Sequence, residues 1–366
     1  MPYSPFELPE FPCKSDLWDR LASEDKPIIV YGMGNGADKL IHRLGEYGVE
    51  ISDFFASDGF VRGHSFHGKR VKSFSEIKEE YTDFVILLSF ATNRDEILDQ
   101  LMTINNSYEM YIPDMPVALE NEYFDRDFYN CHYSEIITAY NSLSDEYSRN
   151  CFAAIVNYKL TGEMKYLLSA YSDKSDIYGL LLQKNVRVAV DAGAYNGDTI
   201  REMKNYFSDI KTVYALEPDT RNFKKLCRYR EAENGIGVIP INAAAWSEDR
   251  TGSFSVSGNR NSSVSSTVSF EHKLVDVDLI RIDTAVNDNV DFIKYDVEGA
   301  EYDALLGSDV TISRCRPSLL ISLYHKSRDL FELINYMQKY SDYSFYLRRV
   351  RCVPAWELDL IMIPKM

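Results

Sequence analysis

The stretch Val188-Ala189-Val190-Asp191-Ala192-Gly193-Ala194-Tyr195-Asn196-Gly197-Asp198-Thr199 decides how the rest of the chain is read. Three apolar residues predict a buried strand, and Asp191 ends the run. Two glycines then frame a tight turn, and Thr199 through Met203 reads as the start of a helix. Strand, Gly-rich turn and helix in that order form the device of a nucleotide-binding α/β unit. Gly193 and Gly197 let the backbone approach a ligand without a Cβ in the way. The helix start offers N–H groups that have no partner inside the helix.

The spacing Gly193-x-x-x-Gly197 is wider than the G-x-G of a pyrophosphate loop. A second predicted strand, Thr212–Leu216, runs into Glu217-Pro218-Asp219. An acid at that point is placed to accept hydrogen bonds from both hydroxyls of a ribose. S-adenosyl-L-methionine carries a ribose and no pyrophosphate, so it needs no phosphate cradle. Asp191 is then read as holding the donor's amino group, directly or through water.

After a helix at 222–232 and a strand at Gly237–Ile241 comes Asn242-Ala243-Ala244-Ala245-Trp246-Ser247. A small-residue loop ending in an aromatic suits the wall of a purine site, with Trp246 as plain core the competing reading. Residues 251–270 read as strands joined by a mobile loop. The strand predicted at 290–296 opens through Val297-Glu298-Gly299-Ala300-Glu301 into a helix. A fifth strand is predicted at 318–325, with His325 at its carboxyl end, and 344–347 with 358–362 reads as a closing antiparallel pair. Open α/β sheets bind ligands beyond the carboxyl ends of their strands. Asp191, Glu217, Asp296 and His325 are therefore expected to converge.

A second, looser device lies upstream. A strand at 27–31 runs into Gly32-Met33-Gly34-Asn35-Gly36-Ala37, which fits a dinucleotide-type G-x-G-x-x-A fingerprint. The acid expected about 20 residues on falls on Asp53 or Asp58, neither cleanly placed. Close helix–strand packing is the alternative role for these glycines. Further strands near 71, at 84–88 and at 110–112 complete a small Rossmann-like unit over residues 1–112. His64-x-x-His67 sits in a Gly-flanked loop without a third ligand at metal spacing, and reads as two solvated histidines. Residues 113–185 carry helical patterns and read as a connector to a sheet domain over 186–366.

The 366 residues are 45% hydrophobic and 26% charged, enough apolar material for more than one core. A net charge of −16 repels a phosphate backbone, so the partner expected is a small-molecule or glycan acceptor and not nucleic acid. The six cysteines contain no C-x-x-C pair and read as reduced thiols. With no apolar run of spanning length and no leader pattern at the start, a cytoplasmic protein without a membrane span is expected. The sequence leaves room for a homo-oligomer.

The segments Asp191–Thr199, Tyr214-Ala-Leu-Glu-Pro-Asp219, Asn242-Ala-Ala-Ala-Trp-Ser247 and Ile293-Lys-Tyr-Asp-Val-Glu-Gly-Ala-Glu301 together resemble the FkbM family of S-adenosylmethionine-dependent methyltransferases. The likeness extends over roughly 145–366. It implies O-methylation of sugars, glycan precursors or related metabolites on a class I methyltransferase-type sheet. By position it implies a donor site of Asp191, Gly193, Tyr195, Asn196, Gly197, Asp198, Thr199, Glu217, Pro218, Asp219, Asn242, Ala243, Ala244 and Trp246. Asp296, Glu298 and His325 are the candidates for acting on the acceptor. Two carboxylates do not make a metal site, and no metal is expected. The competing readings are a nicotinamide-dependent oxidoreductase working through Gly32–Ala37, and a non-catalytic module that binds the methyl donor.

Overall fold

The computed structural model describes residues 6–57, 59, 61, 63–118, 122–182, 185–256, 263–264 and 273–365. Asp58 and most of the 251–270 segment lie outside these residues. The fold is α/β, with two parallel Rossmann-like sheets among the described residues.

The N-terminal sheet contains β1 (Ile28–Tyr31), β2 (Asp53–Ala56), β5 (Lys72–Ser73), β6 (Val85–Leu88) and β7 (Glu109–Tyr111). A short hairpin, β3 (Ser65–Phe66) and β4 (Lys69–Arg70), stands apart from it. The order β5-β2-β1-β6-β7 reverses direction between β1 and β6, where a nucleotide crevice belongs. A cavity remains at that crevice, lined by Met33, Asn35, Lys39, Ser89, Phe90 and Pro113 among others. A Cβ on Gly36 would lie 2.1 Å from the Ser89 carbonyl oxygen, and one on Gly32 would lie 2.8 Å from the Phe90 ring. These glycines therefore serve close helix–strand packing. Lys39 donates from the adjacent helix to the carbonyls of Pro116 (2.7 Å) and Val117 (3.2 Å). Asp53, the expected ribose acid, is bonded to the Lys72 ammonium and to the Tyr81 hydroxyl. His67 contacts Asp38 at 2.7 Å on an exposed loop.

The second sheet contains β8 (Val188–Ala192), β9 (Thr212–Leu216), β10 (Gly237–Ile241), β15 (Phe292–Tyr295), β16 (Ser318–Ser322), β17 (Tyr343–Arg349) and β18 (Leu358–Pro364). Its order is β10-β9-β8-β15-β16-β18-β17, parallel except for β18, which runs antiparallel to both β16 and β17. The switch in strand order falls between β8 and β15. A flanking sheet combines β11 (Ala243–Ala245), β12 (Arg250–Val256), β13 (Ser263–Val264) and β14 (Lys273–Ile280).

The segment expected as a connector does more than connect. Its helix Glu146–Thr161 is buried on nearly every side, from Ser148 through Leu160. Asp145 caps it by accepting from the Ser148 N–H, and Gly162 ends it at φ 65°. Lys159 pairs with Asp114 at 2.8 Å with both side chains nearly buried. The Leu347 N–H donates to Ser148 Oγ at 2.9 Å, tying the helix to β17. One apolar cluster runs from Ile29, Phe55 and Leu88 through Phe152 and Ile155 to Val190 and Leu319. The two sheets thus share a core through this helix. Among the described residues, no helix is long and apolar enough to cross a membrane.

Candidate active site

The turn after β8 is held from beneath by Glu217. One carboxylate oxygen accepts from the Tyr195 N–H at 2.8 Å, and the other accepts from the Asp219 N–H at 2.8 Å. Asn242 donates to the Glu217 carbonyl at 2.8 Å and fixes the turn that carries it. Glu217 is 6% exposed, and burial pushes its carboxyl up to about 8 against the pull of those backbone N–H groups. Gly193 has φ 89°, and a Cβ there would lie 1.9 Å from the Asp296 carbonyl oxygen. Only glycine lets the β8 and β15 loops approach this closely. Gly197, at φ 83°, caps the helix Asp198–Tyr206 and packs under the Tyr229 ring.

A cavity opens over the carboxyl ends of β8, β9 and β15. Gly193, Tyr195, Asp198 and Thr199 form one side, Leu216, Glu217, Pro218 and Asn222 another, and Ala244 and Ala245 a small-residue floor. Asp296, Val297, Glu298, Ala300, Tyr324 and Glu357 close the far end. Several expected members stand elsewhere. Asp191 is fully buried in β8, with neither carboxylate oxygen hydrogen-bonded. It sits behind the lining, and burial raises it to about 7. Asp219 is spent as the cap of helix Thr220–Ala232, accepting from the Arg221 and Asn222 N–H groups at 2.9 Å. Asn196 accepts from Arg201 outside the cavity. Asn242, Ala243 and Trp246 also miss the lining. Trp246 follows β11, and its carbonyl lies against Gly307. The purine-wall reading therefore passes to Ala244 and Ala245.

The far end is a dense set of charges. Lys294 donates to Asp296 Oδ2 at 2.7 Å, and the Tyr324 hydroxyl donates to Oδ1 at 3.2 Å. Burial alone would raise Asp296, but the Lys294 ammonium and His325 hold it at about 2. Glu298, at a strained φ of 54°, is pushed up to about 8 by burial, with His325 opposing. His325 is fully buried, with Nδ1 2.9 Å from Glu301 Oε1 and Nε2 3.5 Å and 3.6 Å from Asp296 and Glu298. Burial disfavours its cation, but Glu301, Glu298 and Asp296 outweigh it and raise His325 to about 10. A buried imidazolium outside the cavity lining has no free lone pair for an acceptor proton. His325 is therefore removed from the candidate bases, and Glu298, facing the cavity near 8, is the better match to that task.

These buried acids also set a pH dependence. Asp191 near 7, Glu217 near 8 and Asp359 near 8 all lie above their unfolded values, in each case chiefly through burial. Between about pH 4 and 8 the folded state therefore binds more protons than the unfolded state, and stability falls as pH rises. The thermal midpoint is expected to be higher at pH 6 than at pH 8.5. A midpoint that climbs over that interval would contradict the buried placement of these groups.

Glu301, Tyr324, Asn222 and Glu357 were not singled out from sequence. Glu301 lay within the quoted 293–301 motif, and its place at the start of the helix Glu301–Leu306 carried the only local signal. Glu357 comes from the loop between β17 and β18, and nothing local in the sequence marks it for this cavity.

Comparison with known proteins bears on the same region. Residues 191–345 match the model of the methyltransferase FkbM domain. The solved structure of a methyltransferase FkbM from Methylobacillus flagellatus aligns with a TM-score of 0.69 at 22% identity, covering 98% of this chain and 94% of that one. That likeness includes the N-terminal unit and concerns the fold. Two shorter structures cover about half of this chain. One is an rRNA methylase from Streptococcus thermophilus, with TM-score 0.36 and 12% identity over 52% of this chain and 95% of that one. The other is a putative methyltransferase from Streptococcus mutans in complex with SAH, with TM-score 0.35 and 15% identity over 53% of this chain and 98% of that one. A search of curated proteins found no match.

Proposed function

From the match of residues 191–345 to the methyltransferase FkbM domain, we propose a methyl transfer from S-adenosyl-L-methionine to a hydroxyl of a sugar, glycan precursor or related small metabolite. The observation that carries this reading is Glu217. It is buried at the carboxyl end of β9, lines the cavity, and is fixed by two backbone N–H groups. Each carboxylate oxygen keeps a lone pair for one ribose hydroxyl. Ala244 and Ala245 leave room beside it for a purine.

At the other end of the cavity the donor's methyl would face Asp296 and Glu298. The acceptor oxygen loses its proton to Glu298 and bonds to the methyl carbon. The carbon–sulfur bond breaks, its electron pair stays on sulfur, and S-adenosylhomocysteine leaves. Asp296, held ionised by Lys294, accepts a hydrogen bond and aligns the acceptor. The net charge of −16 favours an acceptor without a nucleic-acid backbone. We read the N-terminal unit as serving assembly or acceptor placement, because its glycines pack against Ser89 and Phe90 and its expected ribose acid is paired.

Calorimetric titration with S-adenosylhomocysteine tests the donor assignment. Glu217→Gln turns one of the two acceptor oxygens into an amide donor, removing a hydrogen bond to the ribose of about 1.5–3 kcal/mol. The expected loss of affinity is about 10- to 100-fold. Equal affinity in wild type and variant would remove Glu217 from the donor site.

A further inference from the structure

The cavity at the N-terminal crevice is chemically unlike the one at Glu217. It measures about 250 Å3, where one water needs only about 10–15 Å3, so it has room for an organic ligand. It lies at the switch in strand order between β1 and β6, the usual ligand position in an open α/β sheet. Among the described residues its lining contains one charged side chain, Lys39, and no carboxylate. Three other lysines with little exposure each face an acid. Lys72 meets Asp53, Lys159 meets Asp114 at 2.8 Å, and Lys294 meets Asp296 at 2.7 Å. Lys39 instead donates to the neutral carbonyls of Pro116 and Val117, which use two of its three N–H bonds. Burial pushes its ammonium below the ordinary lysine value. A cation withdrawn from water without an anion is costly, and an anionic ligand relieves that cost.

Two walls of this cavity continue into the one at Glu217. Pro354 and Trp356 line it from the β17–β18 loop, and the next residue, Glu357, lines the cavity at Glu217. Pro116 and Val117 line it on another side. The following Ala118 donates its N–H to the His325 carbonyl at 3.0 Å, and its side chain lies beside Gly299 in the turn that carries Glu298. We propose that the N-terminal cavity holds the nucleoside diphosphate of a nucleotide-sugar acceptor. A phosphate sits on Lys39, the base lies against Phe90 and Trp356, and the sugar passes over the loop at 354–357 toward Glu298. An ammonium suits a phosphate oxygen as a point charge. Two aromatic residues suit a base, because every base has a π-face. Gly32 and Gly36 are taken up by packing, so the lysine and not the glycine turn meets the phosphate. The diphosphate thus supplies binding energy away from the reacting hydroxyl, which holds that hydroxyl in place. The acceptor role rests on the methyl-transfer reading, whereas binding of the nucleoside diphosphate does not.

The test is calorimetric titration of the full chain with UDP, GDP and dTDP, and separately with inorganic pyrophosphate and S-adenosylhomocysteine. We expect one nucleoside diphosphate per chain, bound more tightly than pyrophosphate. Its affinity should fall by about tenfold or more in Lys39→Met and be largely kept in Lys39→Arg. Lys39 also braces Pro116 and Val117, so Trp356→Leu, which leaves that brace intact, is the second variant. It should lose about fivefold or more through the missing ring. Affinity for S-adenosylhomocysteine should be the same in all three variants as in wild type. Absence of saturable binding by every nucleoside diphosphate overturns the site. So does binding that Lys39→Met and Trp356→Leu leave unchanged, or pyrophosphate binding as tightly as the nucleotides. A wild-type chain that binds a nucleoside diphosphate at Lys39 but not S-adenosylhomocysteine supports the site and strikes the methyl-transfer reading.

Discussion

Glu298→Gln is expected to lower turnover by about 10²- to 10⁴-fold, the usual cost of losing a group that takes the reacting proton. Affinity for S-adenosylhomocysteine should change little. Glu298 lies on the turn after β15, at the opposite end of the cavity from Glu217 and Ala244. Glutamine keeps the shape and the strained φ of 54°, so what is lost is the capacity to accept a proton. The measurement is initial rate of S-adenosylhomocysteine formation with a panel of sugar nucleotides and glycan precursors, with donor affinity determined first. Wild-type turnover would move the proton transfer to another group. A parallel loss of donor affinity would place Glu298 on the methionine moiety instead.

Gly193→Ala is expected to damage both stability and donor binding. The added methyl would sit 1.9 Å from the Asp296 carbonyl oxygen, a backbone atom that cannot swing aside. Overpacking of this kind costs about 1–3 kcal/mol. Holding a non-glycine residue at φ 89° adds about 1–3 kcal/mol more. Relief comes only by separating the β8 and β15 loops, which moves the Tyr195 N–H from Glu217 and Asp296 from the cavity. The urea midpoint and calorimetric affinity for S-adenosylhomocysteine should fall together. A variant with wild-type values of both would mean that the two loops are not in contact here.

The end of the cavity proposed for the donor was legible because it is written in consecutive residues. Strand, glycine turn and helix follow one another from Val188 to Met203, and the acid that meets them ends the very next strand. The same reading went too far wherever a residue's role depends on which way it faces. Asp219 is taken by the N–H groups of the helix it begins, as a capping aspartate normally is. Trp246 lies past the end of β11, where the chain has already turned away from the cavity. Asp191 ends a strand as expected, but it remains behind the lining with Lys294 as its register partner on β15.

The acceptor half was less legible because its partners are long-range. Asp296 and His325 were placed at neighbouring strand ends from their patterns. That His325 is enclosed by Glu301, Glu298 and Asp296 depends on how the turn 297–300 folds back, and no local propensity encodes that. The helix Glu146–Thr161 was read as part of a connector because helical periodicity names one apolar face. Its burial on nearly every side arises from two sheets packing on it at once. In the N-terminal unit, close packing was one of two roles weighed for Gly32 and Gly36, and their approach to Ser89 and Phe90 fits it. The fingerprint alone does not reveal that Phe90 and the 113–117 segment approach the same crevice.

The most direct test of the central claim is a crystal structure of the full chain with S-adenosylhomocysteine. The ribose hydroxyls should lie within hydrogen-bond distance of Glu217, with the purine against Ala244 and Ala245 and the sulfur turned toward Asp296 and Glu298. Binding of the ligand in the N-terminal crevice beside Lys39 and Phe90, with the cavity at Glu217 left open, would contradict the account.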